Sequence, residues 1–347
     1  MGSTLKYLTI INKSPAIHYA LATIIQVEGS AYRHEGAKML FSETGERFGT
    51  VSAGCLEEDL SHHAMEVIKE KNSKVISYNT SSEDDLTWGQ SAGCNGTITI
   101  YLEYVHAQTN QFLNELEKRL KAGERLILLK TIDPSFSIMM GLNTITEEYV
   151  GNPVIEPLKR YLQDFNETKN VQRCTDPVYD DLIIERIEPK KKLYIFGAGP
   201  DVEPLVKLIS TLDFEITIID PREDYCNKGN FPNADTLIVE QPDLYLQHHD
   251  IDQNSYVLIM THHFKWDRTI LRYFIQHRPY YLGILGPLKR TKRLLGYSNV
   301  PEWIHSPVGL PLNAEGAEEI SISIVAQLIQ KKNSKIGTLT SAVTCRL

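Results

Sequence analysis

The chain has 347 residues and carries 36 lysines and arginines against 44 aspartates and glutamates, a formal net charge of −8. This excess of acid argues against a protein that holds nucleic acid by charge alone. At roughly 150 residues per domain the length predicts about two domains, and hydrophobic and charged fractions of 42% and 23% exclude a disordered or fibrous chain.

The first half of the chain predicts a mixture of strands and helices. Residues 17–27 form a β-branched run that suits either a strand or a buried helix, whereas helical spacing of apolar residues favours a helix over 55–71. Strict alternation of side chains favours a half-buried strand over 97–105. Two short strands around a turn, a further helix and two further strands complete this half, over residues 38–41, 47–52, 107–122, 125–132 and 137–141.

The second half predicts a doubly wound parallel sheet of the Rossmann-like type, because short apolar strands alternate there with helical or loop stretches. A polar, proline-containing stretch over 143–192, which ends in a run of three lysines, predicts a domain boundary near residue 189. The domains are therefore expected over 1–188, which includes the linker, and over 189–335, with a tail over 336–347. Strands are predicted over 193–196, 215–219, 236–239, 256–260 and 280–285, and a final helix over 315–330.

A glycine turn in the second half suits phosphate binding. The strand over 193–196 runs directly into Gly197-Ala198-Gly199, where a following helix would present backbone N–H groups to an anion. Asp220 ends the next strand, at the position from which a Rossmann carboxylate accepts hydrogen bonds from ribose hydroxyls. Val202 replaces the third glycine of the nucleotide fingerprint, so the turn is also suited simply to connecting strand and helix tightly.

Further candidate residues follow other strands of this sheet. Arg222 adds a cation beside Asp220, which can either meet a phosphate or pair locally. His262, with Asp267 five residues on, ends the fourth strand, and open α/β sheets bind ligands beyond the carboxyl ends of their strands. The basic run Lys289–Arg293 suits either attraction of a phosphorylated ligand or a solvated helix face.

In the first half, small residues lie next to cations and thiols. The segment GSAYRHEGAKML contains Arg33 and Lys38, and TVSAGCLEEDL contains Gly54 and Cys55. Small residues let the backbone approach a ligand closely. Cys55 lies at a predicted helix N-terminus, which lowers a thiol pKa, but the acidic residues that follow Cys55 raise it. The direction of the Cys55 pKa shift is therefore open. Cys94 lies between glycines, and each thiol is either part of this site or a small buried hydrophobe.

Many ordered motifs in both halves resemble those of the XdhC/CoxI family, which are accessory proteins of molybdenum hydroxylases such as xanthine dehydrogenase. These motifs are GSAYRHEGAKMLF, GTVSAGCLEEDL, SAGCNGTITI, LYIFGAG, IIDPRE, FPNAD, MTHHFKWD, YLGILGPLKR and HSPVGLPL. The resemblance implies an N-terminal α/β domain of the XdhC/CoxI type followed by a Rossmann-like domain. The chain departs from the family's pattern at Tyr32, Pro200 and Pro311, where a proline, a histidine and an acidic residue are usual.

The resemblance also implies a function. It predicts a dimeric maturation factor of purine catabolism, a chaperone rather than an enzyme, that binds the molybdenum cofactor (molybdopterin) and delivers it to a xanthine dehydrogenase-type hydroxylase. A cysteine desulfurase is a candidate second partner, and a nucleotide such as NAD(P) is a candidate ligand of the Rossmann-like domain. The implied cofactor-binding residues are Arg33, Lys38, Gly54, Cys55, Cys94, Gly197, Gly199, Asp220, Arg222 and His262.

Within this hypothesis, Arg33 and Lys38 meet the pterin phosphate, and Cys55 or Cys94 faces the molybdenum, with Cys55 as the candidate metal ligand. No catalytic residue is predicted. Two enzyme classes stay open as alternatives. One is an NAD(P)-dependent oxidoreductase that uses the glycine turn, and the other is a cysteine-dependent sulfur transferase. No proton-relay pattern such as Tyr-x-x-x-Lys accompanies the glycine turn, which favours the accessory role.

The sequence further predicts a cytoplasmic protein that binds neither membrane nor nucleic acid. Its five cysteines are widely spaced without a Cys-x-x-Cys pair, unlike a disulfide framework or a zinc site. Residues 1–29 lack the basic start and apolar middle of a signal peptide, and the apolar runs are shorter than the ~18 residues of a membrane span.

Overall fold

A computed structural model describes residues 4–52, 54, 56–79, 96–105, 110–132, 137–141, 147–150, 161, 170–177, 180–297 and 299–334 of the chain. The chain divides into two compact units, Met1–Pro189 and Lys190–Leu347. Within the described ranges, no helix is long and apolar enough to cross a membrane.

The described strands of the first unit form two antiparallel sheets of five strands each. In spatial order the first sheet contains β3 (Arg47–Gly49), β2 (Lys38–Ser42), β1 (Tyr19–Gly29), β5 (Gly96–Val105) and β4 (Lys74–Asn79). The second contains β8 (Glu147–Val150), β7 (Ser137–Gly141), β6 (Leu126–Thr131), β10 (Asp180–Ile187) and β9 (Val171–Asp176). Three helices accompany them in the described part of this unit, α1 (Thr4–Lys13), α2 (Glu57–Glu70) and α3 (Asn110–Lys121).

Tertiary pairing decides the ambiguous run over 17–27 in favour of a strand. β1 lies at the centre of the first sheet, antiparallel to β2 on one side and to β5 on the other. Its alternate residues Ala20, Ala22 and Ile24 are completely buried against α2. The helix presents Leu60, Ala64 and Val67 to this face, and that spacing places all three on one side of α2.

The polar stretch over 143–192, expected to include the linker, contains three strands, β8, β9 and β10. β10 pairs with both β6 and β9, and its residues Leu182, Ile183 and Ile184 are completely buried. Charged residues on both sides of this short apolar run made it look exposed in the sequence. One of them, Glu185, is in fact buried in an ion pair with Lys38 of the first sheet. Helix α1 and strand β4 were likewise not predicted.

The second unit contains a six-stranded parallel sheet, which confirms the doubly wound architecture predicted for this half. In spatial order its strands are β13 (Thr236–Ile238), β12 (Phe214–Ile219), β11 (Lys191–Phe196), β14 (Tyr256–Ile259), β15 (Tyr281–Ile284) and β16 (Ile304–His305). The described helices are α4 (Glu203–Ile209), preceded by a 3₁₀ turn over Pro200–Val202, then α5 (Pro242–His248), α6 (Phe264–Gln276), α7 (Leu288–Leu295) and α8 (Gly316–Asn333).

Both faces of this sheet are buried. Leu205, Val206 and Ile324, from α4 and α8, pack against one face, and residues of α5, α6 and α7 pack against the other. The first strand, β11, has β12 on one side and β14 on the other, so the strand order reverses between β11 and β14. Ligands of open α/β sheets bind at such a reversal, beyond the carboxyl ends of the strands.

Candidate functional site

The turn after β11 requires glycine because the backbone of a neighbouring strand lies against it. Gly197 has φ of +118°, and a Cβ there would collide with the carbonyl oxygen of Met260 and lie 2.9 Å from the amide nitrogen of Thr261. The Gly197 amide donates to the carbonyl oxygen of Ile219 at 2.9 Å. The predicted glycine turn therefore lies at the reversal of strand order, among the ends of β11, β12 and β14.

The carboxylate of Asp220 holds this turn through a hydrogen bond from the Ala198 amide. Its side chain is 1% exposed, and its carboxylate accepts four hydrogen bonds. One oxygen accepts from the Ala198 amide at 2.9 Å and from Arg222 Nη2 at 2.7 Å, and the other from the amide and Nε of Arg222, both at 2.9 Å. Burial raises the pKa of Asp220, but these hydrogen bonds outweigh burial and lower it overall.

This geometry corrects the ribose-binding role predicted for Asp220, because both carboxylate oxygens already serve the protein's own donors. Of the two alternatives for Arg222, the structure shows the local pair. The Arg222 side chain is nevertheless 41% exposed, and its guanidinium carbon lies 4.4 Å from the ring centroid of Tyr225. Arg222 is thus the member of the pair that a ligand can reach.

His262 lies at the same edge of the sheet, paired with a residue that the sequence analysis did not select. Its Nε2 is 2.8 Å from Oδ2 of Asp201, and its backbone has a left-handed φ of 56°. A Cβ on residue 199 would collide with the other carboxylate oxygen of Asp201. Asp201 also contributes to raising the pKa of Arg222. We call the region at the reversal of strand order that Asp201, Arg222 and His262 border the crevice. An acid directly after the glycine turn and Pro200 was the available signal.

Asp267 does not pair with His262 in the way that their spacing suggested. It is 1% exposed, and it accepts from Thr261 Oγ1 at 2.5 Å and forms an ion pair with Arg290 Nη2 at 2.6 Å. Thr261 Oγ1 in turn accepts from the His263 amide at 3.0 Å. Asp267 therefore ties the start of α6 and the helix α7 to the end of β14, and it holds the backbone on which His262 is displayed.

In the first unit, the candidate loop before α2 is organised by Glu57. The Glu57 carboxylate accepts hydrogen bonds from the Ser52 amide at 2.8 Å, the Gly54 amide at 3.1 Å and the Thr50 hydroxyl at 2.6 Å, and also from the Ser52 hydroxyl. Partial burial raises the pKa of Glu57, yet these hydrogen bonds lower it overall. Gly54 is exposed with φ of +110°. Sequence reasoning treated Glu57 only as a charge in the first turn of a helix.

The structure contradicts the phosphate-binding role predicted for Lys38. Its side chain is 2% exposed, and Nζ forms an ion pair with Glu185 at 2.8 Å and donates to Thr23 Oγ1 at 2.8 Å. Burial lowers the pKa of Lys38, and the neighbouring Glu185 only partly opposes this shift. Lys38 is a structural group between the two sheets. Arg33, in contrast, is half-buried between β1 and β2 and forms no ion pair with any described residue.

Both candidate thiols, Cys55 and Cys94, lie outside the described residues. Among the residues that are described, no group of three His, Cys, Asp or Glu side chains is arranged to hold a metal ion. Cys226 is buried, and burial raises its thiol pKa, which suits a packing role.

Comparison with known proteins places both units in one family. The family model described as the XdhC Rossmann domain matches residues 193–328, and the model described as the XdhC and CoxI family matches residues 16–79. A Bacillus subtilis protein that is named as a probable xanthine dehydrogenase subunit is 38% identical over 315 residues, which cover 90% of this chain and 92% of that protein. The chain belongs to the XdhC and CoxI family.

Two further proteins are similar to this chain over most of its length. The molybdenum cofactor insertion chaperone PaoD of Escherichia coli is 24% identical over 318 residues, 89% of this chain and 81% of that protein. A crystal structure of a xanthine dehydrogenase from Bacillus halodurans superimposes with a TM-score of 0.84 at 39% identity, covering 97% of this chain and 98% of the other. The family and the fold predicted from the motifs are thus confirmed.

Proposed function

We propose that this protein is an accessory factor that binds the molybdenum cofactor and delivers it to a molybdenum hydroxylase of the xanthine dehydrogenase type. The observation that carries the proposal is likeness over both units to two named proteins, a molybdenum cofactor insertion chaperone and a probable xanthine dehydrogenase subunit. These alignments span 89% and 90% of the chain, so they include the glycine turn and the loop before α2.

The residues of the second unit suit the phosphate-bearing part of such a cofactor. Arg222 presents a partly exposed guanidinium whose charge is anchored by Asp220, and guanidinium groups bind phosphate oxygens in pairs. The turn of Gly197 and Gly199 lies at the same reversal of strand order. His262, held by Asp201 at 2.8 Å, offers an exposed imidazole ring at the same edge of the sheet.

Taken by itself, the first unit offers the loop that Glu57 organises as a candidate contact for a molybdenum centre. Gly54 is exposed and leads directly into Cys55, and soft sulfur ligands suit a soft, sulfur-rich metal centre. Arg33, with no ionic partner among the described residues, is available to a phosphate in a way that Lys38 is not. Cys94 is the alternative thiol. A homodimer and a desulfurase partner stay predictions.

The rival NAD(P)-dependent oxidoreductase is less well supported by the same site. A Rossmann dehydrogenase uses a free carboxylate at the end of the second strand for the ribose, and both oxygens of Asp220 are occupied here. A cysteine-dependent sulfur transferase would rest on Cys55 or Cys94 alone. Steady reduction of NAD(P) by a defined substrate at ordinary enzyme rates would overturn the accessory role.

One experiment tests cofactor binding directly. The protein is produced anaerobically in cells with and without cofactor biosynthesis, purified and oxidised, and released pterin is assayed by fluorescence together with molybdenum by mass spectrometry. We expect pterin and molybdenum in equal amounts from the competent cells only. A protein that is free of pterin after production in competent cells contradicts the proposal.

A second experiment assigns the thiol. Cys55→Ser keeps the side chain's size and a hydrogen bond but removes a soft ligand, so retained molybdenum and activation of the apo-hydroxylase should fall while the thermal midpoint barely moves. Cys345→Ser, in the predicted tail, is the control. If Cys55→Ser lowers the midpoint and leaves cofactor binding per folded molecule unchanged, Cys55 has a packing role and Cys94→Ser takes its place in the same paired measurement.

A further inference from the structure

Two neighbouring helices of the second unit expose a set of cations that have no ionic partner among the described residues. None of the six forms an ion pair with a described acidic group, although many other lysines and arginines of the chain do. We name this set the cationic face: Lys265, Arg268 and Arg272 of α6, and Lys289, Lys292 and Arg293 of α7.

The helical repeat gathers these side chains on one surface. Residues three, four or seven positions apart lie on the same side of a helix, and each helix carries its three cations at such spacings. The buried sides of the two helices meet in one core, which includes Leu271 and Leu294. The ion pair of Asp267 with Arg290 and the approach of Arg293 to the ring of Phe264 at 5.7 Å hold α6 and α7 side by side.

Within the two helices, no exposed acidic residue opposes the charge of this surface. Asp267 is the only acidic residue in either helix, and it is buried and already paired with Arg290. The chain as a whole has a net charge of −8, so a local excess of six cations opposes the overall balance. Like charges this close repel each other, and the repulsion is relieved when an anionic surface covers them.

Exposed apolar side chains lie beside the charges. Phe264 is 38% exposed at the start of α6, and Leu288 is 41% exposed at the start of α7. The start of α6 follows directly on the crevice, because Phe264 is two residues after His262, and α7 begins shortly after the carboxyl end of β15. Arginine and aromatic residues are enriched in protein interfaces, and charged groups around them steer the partner's approach.

We propose that the cationic face is the docking surface for an acidic protein surface, that of the apo-hydroxylase which accepts the cofactor. This inference rests on the proposed function and names where the acceptor binds. The adjacency of Phe264 to His262 places the docked acceptor at the mouth of the crevice, which shortens the path of a released cofactor. The outer sides of two packed helices suit another protein's surface better than a small anion, which binds in concave sites, and the net charge of −8 disfavours nucleic acid.

The test compares two triple charge reversals with the same change in net charge. One is Lys265→Glu, Arg268→Glu, Arg272→Glu on the cationic face. The other is Lys6→Glu, Lys69→Glu, Lys207→Glu, three exposed lysines that lie elsewhere and have no ion pair with a described residue. The cofactor-loaded full-length protein is titrated with purified apo-hydroxylase at about 0.05 M and about 0.3 M salt, where screening differs strongly.

We expect the face variant to bind about 10–100-fold more weakly at low salt, mainly through a slower association rate, and the control to stay within about threefold of the natural sequence. High salt should narrow the difference. Retained pterin should be unchanged in both variants, since neither alters the crevice. A matching triple replacement by glutamine, with an intermediate effect expected, serves if the reversed variant does not fold.

The possible outcomes separate this inference from the proposed function. If the natural sequence binds the apo-hydroxylase and both triple variants bind equally well, the docking surface is wrong and the accessory role stands. If the natural sequence holds no cofactor and does not bind the hydroxylase, both ideas fail. Binding that depends on the cationic face but goes to phosphatidylserine vesicles or to RNA, and not to the hydroxylase, also overturns the docking proposal.

Discussion

Replacement of Asp220 by asparagine tests whether the carboxylate holds the glycine turn. The substitution keeps the shape of a side chain that is 1% exposed, but an amide has one oxygen where the carboxylate has two. Each carboxylate oxygen accepts two hydrogen bonds in the structure. The –NH₂ group of the amide would therefore face two N–H donors that it cannot satisfy.

The expected loss follows from those two bonds. Hydrogen bonds to a charged group contribute about 1.5–3 kcal/mol each, so two lost bonds give roughly 3–6 kcal/mol. The Arg222 side chain is 41% exposed and can turn to water, which reduces its share. We expect Asp220→Asn to lower the free energy of unfolding of the second unit by about 2–4 kcal/mol. Asp243→Asn, at an exposed position on α5, should change it by less than about 0.5 kcal/mol.

Urea unfolding followed by tryptophan fluorescence measures this loss, because Trp266 and Trp303 both lie in the second unit. Replacing Trp88 by phenylalanine in all variants removes the remaining tryptophan signal. The folded pKa of Asp220 is depressed, so its stabilisation is present above the unfolded pKa of about 3.9 and is lost as pH falls below that value. The gap between Asp220→Asn and the natural sequence should therefore narrow below about pH 4. A loss below about 1 kcal/mol at neutral pH would refute the reasoning.

Three other predictions concern the turn, the buried ion pair and the loop before α2. Gly197→Ala should lower the free energy of unfolding, measured by thermal unfolding, by more than about 3 kcal/mol. Gly296 has a left-handed φ of 83° but no neighbouring atom within 4 Å, so Gly296→Ala should lower it by only about 1–2 kcal/mol. Equal losses would show that the close approach of the strand at Gly197 is unimportant. Lys38→Met should destabilise the first unit by about 3–5 kcal/mol in urea unfolding, because it leaves Glu185 buried without its cation. Adding Glu185→Leu to Lys38→Met should restore most of the lost stability. Additive losses from the two substitutions would contradict the pairing. Because the pKa of Glu57 is lowered, its ionised carboxylate stabilises the loop before α2 above about pH 4.3, and this stabilisation is lost at lower pH. Glu57→Gln should therefore increase amide hydrogen exchange in the loop at neutral pH and match the natural sequence near about pH 3. Unchanged exchange at neutral pH would show that Glu57 does not hold the loop.

The sequence predicted the second unit well because its signals are local. Each of its strands β11, β12, β13, β14 and β15 is a short apolar run, and a parallel sheet buried on both faces needs such runs. β16, with two residues, is too short to show a pattern. The family motifs also predicted the glycine turn at its observed place, after β11.

What the sequence could not show were the partners of charged residues. Lys38 and Glu185 are 147 positions apart, so nothing local distinguished a buried pair from two exposed charges. Asp201 and His262 are 61 positions apart and meet only because β11 and β14 are neighbours in the sheet. Asp220 is a different case: three of its four donors are on Arg222, two positions along the chain, and the sequence could not decide between this local pair and a ligand.

The ion pair between Lys38 and Glu185 also has a consequence for the order in which the first unit can form during synthesis. The ribosome releases β1 and β2 early, but the carboxylate that neutralises Lys38 lies on β10, close to the end of the unit. Until β10 is available, folding that buries the Lys38 side chain would bury its charge without the partner Glu185. The nascent first unit should therefore stay incompletely folded until nearly all of it has left the exit tunnel.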